Sequence, residues 1–412
     1  MGAVVGPVLG HSKGQERALG EELELELALE LCEHRRSVEL IALLAISCTF
    51  FLFMHTNKLN SRLKEMEVKL QPSEFSALGL TGNHISGHDA GKHDDINTLH
   101  GTYQYLKSTG QLQHLTSTAQ VNNTRRAQLD TLFFNRVPKA GSEKLMALLK
   151  LLAKRNKFQA RRDHEQLYET ILMDTGFARH LLEAEILNCS TANSYTKHMA
   201  FLNFTEFGQP WPIYVNLVRD PLERLISWFY YARASWYLAD RVKTFGSKFK
   251  MPSVQWLKKD FNRCLLTHDP ECVYEQLDMN HLGDHRRQTL FFCGQQRALC
   301  MPFNSRSAMQ QAKRNVEQHY AVVGTWEDTN TTLRVLEAYI PRYFAGATDL
   351  YYAMQSNMEN VNRNAFRPAL SEQARALLSR NLTQEIEFYQ FVRQRLNKQF
   401  IAVQQMAQSS NN

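Results

Sequence analysis

The segment Arg136-Val-Pro-Lys-Ala-Gly-Ser142 places a lysine, a glycine and a serine between a short apolar run and a leucine-rich stretch. Lys139 supplies a full positive charge. The start of a helix adds unpaired N–H groups with a partial positive charge, so the segment could cradle a phosphate. It lacks the G-x-x-x-x-G-K-[ST] spacing of an ordinary ATP or GTP loop. A purely structural loop is the alternative that this segment alone leaves open.

A second position suited to phosphate follows the run IYVNLV, where Arg219 comes directly after the apolar residues. Ser227 lies about two helical turns further along, on a helix that Pro221 should begin. In isolation, Arg-Asp-Pro is also typical of a strand-end turn in which Asp220 caps the helix. Two such positions at the ends of strands in one sheet would suit a ligand with two separated phosphates.

His198, in the run HMAFLNF, is the candidate general base. An imidazole with an ordinary pKa of about 6.5 can accept the proton that a hydroxyl loses when it attacks an electrophile. Lys139 and helix N–H groups could stabilise the charge that develops on a phosphate leaving group, and this chemistry requires no metal. A histidine packed in the core is the alternative that the pattern leaves open.

The Lys139 loop and the Arg219–Ser227 segment sit in two strand–loop–helix units. The first unit is LDTLFFN followed by leucines at helical spacing, and the second is IYVNLVRDP followed by LERLISWFYY. Two such units predict an α/β domain around a parallel sheet, with the first loop resembling a P-loop. The consecutive aromatics at 228–231 are expected to be core residues, because four consecutive positions cannot all face one groove.

Residues 38–54 form the one strongly apolar stretch and are predicted to span a membrane once. At about 1.5 Å per residue the stretch is short, which suits a thin early-secretory membrane. A buried core helix or a cleaved signal peptide fits less well. Residues 1–37 are interpreted as a cytoplasmic tail, and 55–126, which are polar and contain several histidines, as a stem. The folded domain is predicted over 127–400, with a polar tail over 401–412.

Glycosylation sequons indicate which side of the membrane the C-terminal part occupies. The charges that flank the apolar stretch do not, because both sides carry basic residues. All of the sequons considered lie on the C-terminal side of the apolar stretch, at Asn122, Asn188, Asn203, Asn330 and Asn381. That side is therefore predicted to be lumenal, which makes the chain a single-pass type II membrane protein.

Two close cysteine pairs lie in the predicted lumenal domain, Cys264 with Cys272 and Cys293 with Cys300. In an oxidising lumen they are predicted to form two local disulfides. A zinc site is the alternative, but neither pair has typical ligand spacing with a matching histidine, so no metal is expected. Cys189 is left as a free or buried thiol.

Taken in order, FFNRVPKAGSEKL, HMAFLNF, IYVNLVRDPLERLISWFYY, LFFCG and PRYFAGATDLYY resemble the uronyl and heparan sulfate 2-O-sulfotransferase family, and an insect member most closely. The match covers roughly residues 130–395. The resemblance implies a sulfotransferase fold and a type II Golgi anchor. It also implies 3′-phosphoadenosine-5′-phosphosulfate (PAPS) as donor and a uronic acid hydroxyl in a glycosaminoglycan as acceptor.

The resemblance also implies roles for single residues. The 5′-phosphosulfate loop falls on Lys139, Ala140, Gly141 and Ser142, and the 3′-phosphate site on Arg219 and Ser227. The base falls on His198, with Lys139 as the other catalytic residue, and Arg136 matches a position that faces the acidic sugar. Two positions depart from the family. Thr196 replaces a second histidine, and Glu143 replaces a threonine beside the phosphosulfate.

A net charge of +7 over 412 residues agrees with an anionic partner. We expect an anionic glycan or glycoprotein acceptor, contact with the Golgi membrane and no nucleic acid, while homo-oligomerisation stays open.

The leading function is 2-O-sulfation of a uronic acid. The alternatives are sulfation of glycoprotein glycans and a catalytically weak glycan-binding relative, which Glu143 and Thr196 suggest. Glu143 is expected to turn outward, in the first helical turn or paired with Lys144 or Lys139.

Overall fold

The computed structural model of the chain describes residues 47–49, 51, 54–55, 97–116, 122–278, 286–358 and 367–409. Two compact units are distinguished, Met1–Glu74 and Phe75–Asn412. In the first unit, the described residues are a few helical positions between 47 and 55. Most of the predicted membrane span at 38–54 therefore lies outside the described residues. Among those that are described, no helix is both long and apolar enough to cross a membrane.

The second unit contains a five-stranded sheet in which every pairing is parallel. Its strands are β1 (Gln128–Asn135), β2 (Gln159–Arg162), β3 (Asn193–Lys197), β4 (Pro212–Val218) and β5 (Tyr320–Thr325). Their spatial order is β2-β3-β1-β4-β5. Strands β3, β4 and β5 are buried along their whole length, as expected for a parallel sheet covered on both faces. The predicted α/β architecture with a parallel sheet is confirmed.

Helices connect the strands and cover the sheet. The α-helices are α1 (Leu99–Ser108), α2 (Ser142–Asn156), α3 (Thr175–His180), α4 (Pro221–Tyr231), α5 (Ser235–Phe245), α6 (Val254–Leu257), α7 (Phe261–Leu266), α8 (Leu290–Cys293), α9 (Arg297–Cys300), α10 (Arg306–His319), α11 (Thr329–Tyr339), α12 (Pro341–Phe344), α13 (Ala347–Met358), α14 (Glu372–Asn381) and α15 (Thr383–Ser409). A π-helical turn, Leu181–Ile186, continues α3. Short 3₁₀ turns lie at Gln111–Thr116, Asn123–Arg126, Phe204–Phe207, Gly246–Lys248 and Pro270–Cys272.

The two predicted strand–loop–helix units are present. Strand β1 leads into α2, and β4 leads into α4. Helix α4 begins at Pro221, whose fixed φ suits the first helical turn, and the Asp220 side chain accepts a 3.0 Å hydrogen bond from Glu223 N–H. The carboxyl ends of parallel strands meet at one edge of a sheet. The residues after β1, β3, β4 and β5 are therefore brought to the same edge.

A second hydrophobic cluster, separate from the core of the sheet, contains the buried side chains of α4. It joins Leu225 and Phe229 of α4 to Phe261 of α7 and Leu378 of α14, all buried. The predicted disulfide Cys264–Cys272 belongs to this cluster, and Cys293–Cys300 joins α8 to α9. Both predicted pairings are present. Helix α4 is thus anchored by this cluster through its buried apolar side chains.

Helix α1 lies within the segment predicted as a stem. Tyr103 and Leu106 lie three residues apart on one face of α1 and are buried with Ile401 of α15. The ordered domain therefore begins before residue 127. Helix α15 also runs through most of the predicted polar tail, as far as Ser409. Both boundaries were drawn from average polarity, which conceals a few apolar residues at helical spacing.

Candidate active site

The loop after β1 has a backbone that only certain residues tolerate. Gly141 has a φ of 83° and is the N-cap of α2. A Cβ at this position would lie 2.0 Å from the ring of Trp326, so no larger residue fits. Because glycine has no side chain to cap the helix, the first N–H groups of α2 remain open to an external anion. Ala140 and Ser142 are buried beside it, and Lys139 adopts the left-handed conformation at φ 62°.

Lys139 lies among other cations. Its Nζ is 3.6 Å from the ring centroid of Tyr231, a cation–π contact. Burial, and then the positive charges of Arg219 and Arg367, lower the pKa of Lys139 to about 8, against the opposing effect of Glu143. No described residue forms an ion pair with Lys139. Clustered positive charge of this kind is the electrostatic mark of an anion site.

Arg219 comes directly after β4 and reaches the same loop. Its guanidinium lies 3.5 Å from the Lys139 carbonyl oxygen and 3.9 Å from the Glu223 carboxylate. Burial lowers the pKa of Arg219, and the nearby charge of Arg367 adds to this effect. In the described part of the chain, no acceptor meets the buried Nε of Arg219. The side chain therefore has hydrogen-bonding capacity to spare for a ligand.

A buried glutamine fixes the backbone of Arg219. The Gln288 side chain accepts from Arg219 N–H at 3.4 Å and donates to the Arg219 carbonyl oxygen at 3.1 Å. Gln288 N–H in turn donates to the fully buried Glu385 carboxylate at 2.9 Å, and the Thr289 hydroxyl donates to the same carboxylate. Burial raises the pKa of Glu385, which these hydrogen bonds oppose. Arg219 is therefore held by a network that continues into α15.

Ser227 lies on α4, four residues before Tyr231. Residues at this spacing share one helix face, so Ser227 faces the same side as the tyrosine that contacts Lys139. Ser227 is 9% exposed. The structure therefore brings the predicted loop, Arg219 and the Ser227 face of α4 into one region.

His198 lies directly after β3, next to the loop. Its Nδ1 is 2.9 Å from the Arg136 carbonyl oxygen. A carbonyl oxygen only accepts, so Nδ1 carries the hydrogen and Nε2 keeps its lone pair. Burial, followed by the positive charge of Arg136, holds the pKa of His198 well below its usual value. The ring is therefore neutral at weakly acidic pH, and its side chain is partly exposed. This state is the one that a general base requires.

The positions around His198 differ in what they offer. Thr196 is 3% exposed within β3, so it places no titratable group beside the histidine. Lys197 is buried and forms a 2.7 Å ion pair with Asp163, which compensates its charge. His198 is thus the titratable side chain of this strand end whose lone pair is available.

Glu143 turns outward, as expected, but it pairs with a different residue. Its side chain is 63% exposed in the first turn of α2, and its Oε1 lies 2.6 Å from Nη1 of Arg136. Of the two expected arrangements, the position in the first helical turn is present, whereas the pairing with Lys144 or Lys139 is not. Lys144 instead lies 5.0 Å from the ring centroid of Trp326. The Arg136 guanidinium emerges from the loop on the side of Glu143, and this decides the pairing.

Sequence reasoning missed four residues of this region: Tyr231, Gln288, Trp326 and Arg367. Tyr231 was assigned to the core, yet it contacts Lys139. Arg367, far along the chain, forms an ion pair with Glu223. Only the position of Trp326, directly after the β5 run, carried a signal of the kind used for Arg219. The others depend on contacts between distant segments.

The segment 233–259 is rich in arginine and lysine, and these residues differ in whether the fold engages them. Arg233 pairs with Glu271 at 2.7 Å, and Arg241 donates to the carbonyl oxygens of Gln166 and Leu167. These two arginines are engaged within the fold. The exposed members are lysines 243, 248, 250 and 258.

Comparison with known proteins identifies the class. The model of the "Sulfotransferase family" matches residues 122–392. The chain is 48% identical, over 462 aligned positions covering 90% of each chain, to "Uronyl 2-sulfotransferase homolog pip" of Drosophila melanogaster. It is 30% identical to "Heparan sulfate 2-O-sulfotransferase 1" of Xenopus laevis, covering 63% of this chain and 68% of that one. Against the human "Uronyl 2-sulfotransferase" the identity is 27%, covering 64% and 62%.

The chain therefore belongs to the sulfotransferase family and is a sulfotransferase, and the predicted kinship with the uronyl and heparan sulfate 2-O-sulfotransferases is confirmed. The matched region begins just before β1 and ends within α15. It contains every residue of the candidate site.

Proposed function

We propose that this sulfotransferase moves a sulfuryl group from PAPS to the 2-O position of a uronic acid in a glycosaminoglycan. The observation that carries the proposal is the convergence of Lys139, Arg219 and the lone pair of His198 at one edge of the sheet. The names of the relatives support the same reaction and the same class of acceptor.

The donor fits two anion-binding regions. The open N–H groups of α2, with Lys139, Ala140, Gly141 and Ser142, suit the 5′-phosphosulfate. Arg219, with its unsatisfied Nε, and Ser227 suit the 3′-phosphate, and Arg367 adds positive charge to the region. The donor supplies the activated sulfuryl group. The protein supplies binding and orientation, and the repulsion among its own cations is relieved when the anion binds.

His198 and Lys139 divide the chemistry between them. His198 Nε2 takes the proton from the acceptor hydroxyl while that oxygen forms its bond to sulfur. The bond between sulfur and the bridging phosphate oxygen breaks, and the negative charge passes to the leaving phosphate. Lys139 and the α2 N–H groups stabilise this charge where it develops. Arg136 is suited to bind the acceptor's carboxylate because its positive charge lies close enough to His198 to lower the pKa of that histidine. Its carbonyl oxygen also holds the His198 ring in place.

The proposed site of action is the Golgi lumen, with residues 38–54 as a type II anchor. Support comes from the apolar stretch, the two disulfides and the sequons. None of the five sequon asparagines is buried. Glycosidase treatment should increase gel mobility. An unchanged mobility, with a C-terminus open to protease in intact vesicles, would contradict the topology.

A transfer assay tests the reaction. The full-length chain, purified in detergent, is incubated with radiolabelled PAPS and a panel of desulfated glycosaminoglycans and secreted glycoproteins, and the products are analysed as disaccharides. We expect label at the 2-O position of a uronic acid. Label confined to glycoprotein glycans would show that these glycans, and not glycosaminoglycans, are the acceptor. Binding of the desulfated donor product (PAP) without transfer to any acceptor would contradict the proposal.

A further inference from the structure

The pair formed by Arg136 and Glu143 is asymmetric. The Arg136 side chain is 13% exposed, whereas that of Glu143 is 63% exposed, and their atoms approach to 2.6 Å. The cation is thus the inner partner and the carboxylate the outer one. Among the described residues, Glu143 is the only side chain that bonds the Arg136 guanidinium.

Arg136 is also coupled to the proposed base. Its carbonyl oxygen accepts from His198 Nδ1, and its backbone N–H donates to the Lys197 carbonyl oxygen at 2.9 Å. The backbone of Arg136 is therefore fixed beside the histidine. An anion bound to the Arg136 guanidinium would lie next to the hydroxyl that His198 deprotonates. In a uronic acid, the carboxylate and the ring hydroxyls belong to the same sugar, which suits this arrangement.

We propose that Glu143 is a specificity-determining residue, an internal counterion of Arg136 that the carboxylate of an acidic acceptor must displace. This inference rests on the proposed function. One guanidinium paired with two carboxylates would carry a net negative charge, so the carboxylates of Glu143 and the acceptor repel each other at that position. A neutral sugar has no carboxylate to bind Arg136, so the pair between Arg136 and Glu143 stays intact.

The expected effect is moderate because the displaced carboxylate returns to water. Exposed ion pairs contribute only ~0.2–1 kcal/mol. Removing the charge should therefore tighten the binding of an acidic acceptor by about two- to fivefold. The side chain acts on the relative affinity for charged and neutral acceptors and leaves the chemical step to His198 and Lys139.

Binding measurements test this inference without requiring turnover. Two probes are used with PAP present: a desulfated heparan oligosaccharide, and the same oligosaccharide with its carboxylates reduced to hydroxymethyl groups. Glu143→Gln should tighten binding of the first probe about two- to fivefold and leave the second unchanged. Glu183→Gln is the matched control, because it removes an exposed carboxylate from another Arg–Glu pair, with Arg179 at 3.5 Å. It should change neither affinity.

A double variant shows whether the effect passes through Arg136. In an Arg136→Ala background that still binds PAP, Glu143→Gln should have no further effect on the acidic probe. Equal tightening of both probes, an equal effect of Glu183→Gln, or no measurable binding of the acidic probe by Glu143→Gln would each overturn the inference. Failure of the transfer assay with every acceptor would contradict the proposed function, while the binding comparison would still decide the role of Glu143.

Discussion

The proposed donor end and the proposed acceptor end of the site handle positive charge in opposite ways. At the donor end, Lys139 has no ion-pair partner among the described residues, and it lies near Arg219 and Arg367, which share Glu223. At the acceptor end, Arg136 already has its own carboxylate, Glu143. The first arrangement leaves electrostatic repulsion that a bound anion relieves. The second is neutral until a ligand replaces its counterion.

The two ends also differ in how they are fixed. Arg219 is held on both sides of its backbone by Gln288, within a network that reaches the buried Glu385. Glu143 is an exposed side chain on the first turn of a helix. This difference suits a donor of constant structure and an acceptor that varies along a polysaccharide. Substitutions at the two ends should therefore separate donor affinity, turnover and acceptor choice.

The largest expected effect is on turnover at the boundary between the two ends. His198→Ala should lower kcat by roughly 10²–10⁴-fold, the usual contribution of a general base, while PAP affinity stays nearly intact. Calorimetry with PAP and the transfer assay give the two numbers, and His180→Ala, an exposed histidine of α3, is the control. A folded His198→Ala protein that no longer binds PAP would reassign His198 to donor binding.

Lys139→Ala should impair donor affinity and turnover together. The lysine charge meets the anion before and during transfer, and loss of one such stabilising group typically costs about 10²–10³-fold in kcat. Lys150→Ala, an exposed lysine of the same helix, is the matched control and should leave both quantities unchanged. Normal PAP affinity in Lys139→Ala would remove Lys139 from the donor site.

Gln288→Ala should weaken donor binding by acting through Arg219. It leaves the Arg219 N–H and carbonyl oxygen without their partner, which costs about 1–3 kcal/mol for buried groups, so we expect PAP affinity to fall about tenfold. Once PAPS saturates the enzyme, kcat should change much less. Gln295→Ala is the control, since that side chain similarly joins Met173 N–H to the Ala200 carbonyl oxygen. Equal losses of PAP affinity in both variants would indicate general destabilisation.

The rate should depend on pH through the same two ends. Because its pKa is depressed, His198 stays neutral as pH falls through about 6.5. We therefore expect kcat/KM to stay constant in that range and to decline only at lower pH. Lys139, with a pKa of about 8, loses its proton above that pH, so kcat/KM should fall on the alkaline side. Lys139→Arg keeps the charge and should move this limb to higher pH. An alkaline limb that stays in place would assign it to another group.

The sequence predicted the parts of this site that are local in the chain. Lys139 and Arg219 each follow a run predicted as a strand, and parallel strands bring such residues to one edge. The assignment of His198 as base depends on the family resemblance, because the pattern around it also fits a core histidine. Partners that depend on side-chain direction or on distant segments were not predictable in this way. Glu143 pairs with Arg136 because of where one guanidinium leaves the loop, and Gln288 reaches Arg219 across 69 positions. Helix α1 was assigned to the stem because its polar composition outweighs two buried residues.

The smallest expected effect concerns Glu143 and the donor. Because Glu143 is well exposed and paired with Arg136, solvent and the arginine reduce the effect of its carboxylate on the phosphosulfate region, where it still acts to raise the pKa of Lys139. The charge also lies in the first turn of α2, where the helix dipole favours it by ~0.3–1 kcal/mol. Glu143→Thr should therefore change PAP affinity by less than about tenfold, or ~1.4 kcal/mol, and the unmodified enzyme should be active. Calorimetry of the two proteins, with Glu183→Gln as the control, measures the difference. A much larger gain in PAP affinity, together with negligible sulfation by the unmodified enzyme across the acceptor panel, would show that Glu143 repels the donor and that the chain is a weak enzyme.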